Sequence, residues 1–96
     1  KLIDVIDIQN FVEGEAVGRE LVVVKVNADS RSRPEITQIC DIFRGKIIDV
    51  STDSLIVEVT GNESKVQAFL ELIAPFGVLE QARTGTVSLR RGKLDN

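Results

Sequence analysis

KIIDVSTDSLIVEV, residues 46–59, is the stretch that decides the fold of this chain. Two aliphatic runs, Lys46–Val50 and Leu55–Val59, flank the polar segment Ser51–Ser54. Short runs rich in β-branched residues favour strands, and a few polar residues between two such runs are typical of a hairpin turn. The stretch therefore predicts two antiparallel strands, and the rest of the fold must be built outward from them.

An amphipathic helix is predicted on each side of this hairpin. Apolar residues recur at positions i, i+3, i+4 and i+7, which lie on one face of a helix: Ile36, Ile39, Cys40 and Phe43 upstream, and Val66, Phe69, Leu70 and Ile73 downstream. Ser32 and Glu35 have the spacing of a capping box before the first helix. Gly45 is the predicted left-handed residue after it, and Asn62 is the predicted N-cap of the second helix.

Two further strands complete the pattern. Leu21–Val26 is a β-branched run, and Val78–Leu89 is extended except at Thr84–Gly85, which predicts a bulge or bend. The order strand, helix, strand, strand, helix, strand forms two right-handed crossovers joined by a hairpin. The sequence therefore predicts an α+β fold, the ferredoxin-like βαββαβ sandwich, with a four-stranded antiparallel sheet and two helices on one face.

The start of the chain is predicted to belong to another domain. Residues 1–8 are rich in aliphatic side chains and predict a strand, whereas residues 9–19 contain Gly14 and Gly18 and are interpreted as a linker. The chain also lacks an initial Met, which indicates a piece of a longer protein. We expect residues 1–19 to be the last strand of a truncated N-terminal domain plus a linker, and residues 20–96 to form a complete domain.

The composition argues against most kinds of catalytic and binding site. The 96 residues carry a net charge of −3, with no His, one Cys and no aromatic residue other than four Phe. Without His there is no His-dependent triad or metal site. The acidic balance and the strands without aromatics argue against nucleic acid, and no apolar run is long enough for a membrane span. Cys40 is interpreted as a core residue, Asp49 as a solvated strand position and Asp53 as a turn residue. We therefore predict no catalytic, cofactor-binding or metal-binding residue.

One face of the predicted sheet is left without helices. Aliphatic residues on that face would form an association surface, and we expect Ile47 and Ile56 to lie on it. A basic rim formed by Arg44, Lys46 and Arg83 could contact an acidic partner. These five residues are the predicted partner contacts, and a homodimer, or cover by another domain, is the expected assembly.

Several blocks of sequence resemble one known family. FRGKIIDV at 43–50, EVTG at 58–61, PFGVLE at 75–80, ARTG at 82–85 and LRRG at 89–92 occur in the order found in that family. They resemble the C-terminal domain of the small, regulatory subunit of acetolactate synthase (acetohydroxyacid synthase). The resemblance covers about residues 19–92.

The resemblance implies a regulatory role in branched-chain amino acid biosynthesis. Small subunits of this family carry an N-terminal ACT domain, which binds the feedback inhibitor valine at a dimer interface, and residues 1–8 resemble the last strand of that domain. No effector-binding residue can be assigned to this chain. The catalytic large subunit holds thiamine diphosphate, magnesium (Mg) and FAD and joins two 2-ketoacids with loss of carbon dioxide. The small subunit is not an enzyme itself, but it activates the large one. The implied compartment is the bacterial cytoplasm or the plastid stroma.

Two other functions stay open at this point. The chain could be a stand-alone ACT-like sensor that binds an amino acid at its own dimer interface. It could also be a small enzyme on the same fold, such as an acylphosphatase, with Arg31 or Arg33 in a loop after the first strand. That loop, residues 27–33, has no glycine to cradle a phosphate.

Overall fold

The structure, a computed structural model, describes residues 16–92. Five strands and two helices follow one another: β1 (Ala16–Asn27), α1 (Arg33–Ile42), β2 (Lys46–Val50), β3 (Ser54–Gly61), α2 (Glu63–Ile73), β4 (Val78–Arg83) and β5 (Val87–Arg90). A 3₁₀ turn, Ala74–Phe76, separates α2 from β4. The strand predicted over residues 1–8 lies outside the described residues.

The sheet has the predicted topology. Its strands lie in the order β2-β3-β1-β4, and every neighbouring pair is antiparallel. At the centre of the sheet Val24 of β1 lies opposite Val57 of β3 and Gln81 of β4. The ferredoxin-like α+β fold is therefore confirmed.

The hydrophobic core lies between the sheet and the two helices. Alternate residues of β1 and β3 face it, and both helix stripes pack onto them; the buried members are Val22, Val24, Val26, Leu55, Val57, Val59, Ile36, Cys40, Val66, Phe69 and Ile73. The rings of Phe43 and Phe69 meet edge to face with centroids 5.6 Å apart. Each fully buried aliphatic or Phe side chain contributes about 1.5–3 kcal/mol, so this cluster is the main source of stability.

Helix α1 begins differently from the prediction. The Ser32 hydroxyl makes no capping bond to the helix; instead, the carboxylate of Asp29 accepts hydrogen bonds from the backbone N–H of Arg31 and Ser32 and from the Ser32 hydroxyl. Asp29 thus replaces the predicted capping box, because its short side chain folds back on the turn before the helix. In α2 the predicted cap is confirmed, since Asn62 accepts from the backbone N–H of Lys65 at 2.8 Å.

The prediction of a left-handed Gly45 is wrong. Arg44 has the positive φ of 56° at the end of α1, and Gly45 does not. Gly45 is required by close packing instead: a Cβ there would lie 2.9 Å from the carbonyl oxygen of Glu58, 2.9 Å from Cγ2 of Val59 and 3.0 Å from Sγ of Cys40. The glycine therefore lets the start of β2 approach β3.

β1 is longer than predicted. It begins at Ala16, so the last four residues of the predicted linker, Ala16–Arg19, are strand and pair with β5. Between β4 and β5 the strand holds one extra residue relative to β1, and Gly85 there has φ 80°. This is the predicted bulge. The division into residues 1–19 and 20–96 stays a prediction, with its boundary inside a continuous strand.

Candidate association surface

The sheet face opposite the helices carries the side chains that could contact a partner. Directly paired residues of antiparallel strands lie on the same face. The strand pairs therefore show which residues share the helix-covered face with the core and which lie on the opposite face. We call this surface the open face; its residues are Leu21, Val23, Lys25, Lys46, Asp49, Ile56, Glu58, Thr60, Glu80 and Ala82.

One row of paired residues crosses the open face from edge to edge. It runs Asp49, Ile56, Lys25, Glu80 through β2, β3, β1 and β4. The ammonium of Lys25 donates a hydrogen bond to the carboxylate of Glu80. This bond raises the pKa of Lys25, with a smaller contribution from Asp49, and lowers the pKa of Glu80. Ile56 thus lies between charged neighbours.

The next row is charged at the β2 edge and aliphatic toward β4. It runs Lys46, Glu58, Val23, Ala82, so an oppositely charged cross-strand pair lies at the β2 edge and two small aliphatic residues at the β4 side. A shallow depression of about 220 Å³ is lined by five residues of the two rows, Val23, Lys25, Ile56, Glu80 and Ala82, and by Gln81 of β4. The open face is therefore amphipathic, with aliphatic side chains interspersed among two lysines and three carboxylates.

The structure separates the five predicted contact residues. Lys46 and Ile56 lie on the open face, in neighbouring rows. Ile47 pairs with Val57 and so shares the face covered by the helices. The expectation that Ile47 lies on the open face is wrong, because Ile48 is an extra residue in a β-bulge and breaks the alternation of β2.

The two arginines lie elsewhere. Arg44 is exposed in the left-handed position after α1. Arg83 pairs with Val22, on the helix-covered face, where its guanidinium binds the carboxylate of Glu20 through Nε at 3.1 Å and Nη2 at 2.7 Å. A rim formed jointly by Arg44, Lys46 and Arg83 is therefore not present, since Arg83 is engaged within the chain on the other face.

Sequence reasoning did not identify which charged residues lie together on the surface. Lys25, Glu58 and Glu80 stand in runs that are mainly aliphatic or polar, and their contacts depend on the register between strands far apart in sequence. Glu20 was missed as well, although it is only 5% exposed. An acid directly before an aliphatic strand, as Glu20 is, is the signal that could have indicated a buried and therefore paired carboxylate.

Few side chains among residues 16–92 are placed to bind a metal ion or phosphate or to act as a nucleophile. No cluster of three or more carboxylates or thiols there is arranged to hold a metal ion. Cys40 is buried against the core, and desolvation, with a contribution from Asp41, raises the pKa of its thiol, which opposes the thiolate that a nucleophile needs. Arg33, considered above for phosphate binding, donates to the carbonyl oxygens of Ala28, Ser51 and Thr52. In the described part of the chain no helix is long and apolar enough to cross a membrane.

Comparison with known proteins gives one consistent result. A family model described as the small subunit of acetolactate synthase matches residues 19–92. A probable acetolactate synthase small subunit from Methanothermobacter thermautotrophicus is 54% identical over 93 residues, which cover 96% of this chain and 55% of that protein. The acetolactate synthase small subunit of Aquifex aeolicus is 47% identical over 92 residues, covering 95% of this chain and 48% of that protein.

A solved structure agrees with the sequence comparisons. The acetolactate synthase small subunit from Thermotoga maritima matches with a TM-score of 0.80 and 44% identity, over 86% of this chain and 51% of that one. The chain spans about half the length of the curated relatives it matches.

Proposed function

The chain belongs to the family of acetolactate synthase small subunits, and on this premise we propose that it regulates the catalytic large subunit of acetolactate synthase without taking part in the chemistry. The observation that carries the proposal is the family match over residues 19–92, which spans nearly all of the sheet and both helices. Thiamine diphosphate, Mg²⁺ and FAD would then be held by the catalytic subunit. The cellular compartment follows the source of the chain, bacterial cytoplasm or plastid stroma.

The open face is the proposed contact with the catalytic subunit. Leu21, Val23 and Ile56 are partly exposed on it, and aliphatic side chains gathered on one side of a sheet favour burial against a partner. Charged residues at both ends would fix the orientation of that partner, since electrostatic complementarity contributes mainly to specificity and association rate. A surface that exposes both lysines and carboxylates requires a partner with both signs of charge.

Regulation requires more than binding. A subunit shifts its partner toward an active state only if it contacts the active and inactive states with different free energies. We propose that the open face makes such differential contacts and raises turnover. Valine feedback inhibition is proposed to reside in the part of the full-length protein that precedes this domain.

Titration of the catalytic subunit tests the proposal. The full-length small subunit containing this chain is added to purified catalytic subunit, and both complex formation and turnover of a 2-ketoacid are followed. We expect a saturable rise in turnover that coincides with complex formation. Saturable binding without any change in turnover, or the absence of a complex, would contradict the regulatory role.

A second measurement distinguishes the regulatory role from that of an amino-acid sensor. Calorimetry of the isolated domain, residues 16–96, with valine, leucine and isoleucine is expected to give no binding heat. Micromolar binding of one of these amino acids would favour the sensor instead. Sedimentation of the same sample tests the homodimer, which stays a prediction.

A further inference from the structure

β1 runs without interruption through two different environments. Its residues 20–27 lie inside the four-stranded sheet between β3 and β4, whereas residues 16–19 pair with β5. We call Ala16–Arg19 together with Val87–Arg90 the ribbon. The last residue of β1 that pairs with β3 at this end is Glu20, opposite Gly61. The ribbon therefore extends beyond the sheet proper.

A ribbon of this size is not rigid by itself. Two strands of four residues give few backbone hydrogen bonds, and an isolated two-stranded hairpin is marginally stable in water. Within residues 16–92 the ribbon also borders a bulge at residues 84–86, where Gly85 has φ 80°. Bulges bend a strand and increase its twist, so this junction is where the ribbon could change direction.

Hydrogen bonds from side chains and backbone connect the two strands at the junction. The carboxylate of Glu20 accepts two hydrogen bonds from the guanidinium of Arg83, at 3.1 and 2.7 Å. The backbone N–H of Leu21 donates to Oγ1 of Thr84 at 3.0 Å, and the backbone N–H of Thr84 donates to the carbonyl oxygen of Leu21 at 3.0 Å. A two-point ion pair of this kind fixes direction as well as distance.

Glu20 and Arg83 each adjoin a residue of the open face along the chain. Glu20 precedes Leu21 directly, and Leu21 lies opposite Thr60 at the end of the open face that is next to the ribbon. On the other strand Arg83 follows Ala82, which belongs to the same surface. Glu20 and Arg83 are thus direct chain neighbours of open-face residues, while their own side chains lie on the helix-covered face.

We propose that Glu20 and Arg83 form a clamp that fixes the direction of the ribbon relative to the sheet. The two residues are positioning residues: they hold the chain that enters the domain at Ala16 in one orientation, and they couple that orientation to the open face. Their coupling to turnover rests on the function proposed above, but the clamp itself is a property of this domain.

Hydrogen exchange of the full-length protein tests the clamp without the catalytic subunit. Glu20→Gln keeps the shape of the side chain and removes its charge, and Arg83→Gln removes the other partner. Each variant is expected to speed exchange of the amides in residues 16–19 and 87–90 on the order of tenfold, and to speed exchange in residues 22–26 and 55–59 only by as much as its loss of global stability in urea requires. Lys25→Gln, which breaks the ion pair on the open face, is the matched control and should leave the ribbon unchanged.

The outcomes are distinct. Unchanged exchange of the ribbon in both clamp variants would overturn the proposal, and so would a uniform rise across the whole domain, which indicates global destabilisation. If the ribbon alone loosens, turnover of the complex with the catalytic subunit is measured next. Weakened activation by the clamp variants with retained binding is the expected result, and unaltered activation would leave the clamp without the coupling role proposed for it.

Discussion

Arg33, the first residue of α1, binds Ser51 in the turn between β2 and β3: its Nη2 donates a 2.7 Å hydrogen bond to the carbonyl oxygen of Ser51. The same nitrogen lies 3.0 Å from the carbonyl oxygens of Thr52 and Ala28. One side chain at the start of α1 therefore holds the turn between β2 and β3 against the end of β1. Hydrogen bonds from a charged donor contribute about 1.5–3 kcal/mol.

Loss of this guanidinium should loosen that corner of the domain. We expect Arg33→Ala to lower the free energy of unfolding by about 1–3 kcal/mol, measured by urea denaturation. Arg31→Ala is the control, because Arg31 is exposed and an exposed substitution usually changes stability by less than about 0.5 kcal/mol. Equal stability of the two variants would show that the Arg33 bonds are not formed in solution.

The core prediction concerns Phe69. Its side chain is fully buried and its ring meets that of Phe43. Phe69→Ala should cost about 3–5 kcal/mol by removing buried surface and leaving a cavity. Leu72→Ala on the same helix is the control, because Leu72 is 51% exposed. A loss below 1 kcal/mol for Phe69→Ala would mean that the helix does not pack as described.

Gly45 gives a steric prediction. Gly45→Ala would place a Cβ within 3.0 Å of the backbone of Glu58 and the side chains of Val59 and Cys40. We expect a loss of about 1–3 kcal/mol, typical of overpacking. In a Val59→Ala background the same substitution should cost less, because one of the close contacts is gone. An identical cost in both backgrounds would argue that this contact is not the cause.

Acid should weaken the domain partly through Glu20. The hydrogen bond from Arg83, and to a smaller extent the backbone N–H of Gly85, lower the pKa of Glu20 below its ordinary value of 4.5 despite burial. A carboxyl with a lowered pKa in the folded state contributes stability above the unfolded-state pKa, and this contribution disappears as pH falls through the folded-state pKa.

Urea denaturation at pH 6 and pH 3 tests this linkage. The unsubstituted domain should lose stability over that interval, and Glu20→Gln should lose less of it, because the variant has no carboxyl to titrate at that position. The same loss in both proteins would exclude Glu20 as a contributor.

The thiol of Cys40 should be unreactive in the folded protein. Its pKa is raised mainly by desolvation and it is nearly inaccessible to solvent. We expect labelling by a disulfide reagent at pH 8 to be more than about tenfold slower in the folded chain than in urea, since the thiolate is the reactive form. Equally fast labelling in both states would contradict the burial of Cys40 in the core.

The fold was predictable because its signals are local. The stripes of α1 and α2 and the hairpin of residues 46–59 are visible within short windows. The surface was only partly predictable, because it depends on register between distant strands. The bulge at Ile48 moved Ile47 to the helix-covered face, and nothing in the run Lys46–Val50 marks Ile48 as the extra residue. Arg83 appeared as a free cation for the same reason: Glu20 lies 63 residues away.

Ile56 and Ile47 provide the most direct test of the association surface, because they lie on neighbouring strands but on opposite faces of the sheet. Ile56→Arg and Ile47→Arg are introduced into the full-length small subunit, and affinity for the catalytic subunit is measured by calorimetry after circular dichroism has shown that both variants are folded. We expect Ile56→Arg to weaken binding at least about tenfold, since it places a charge at the centre of the interface, and Ile47→Arg to stay within about twofold of the unsubstituted protein. Unchanged affinity for Ile56→Arg, or an equal loss in both variants, would contradict association through the open face.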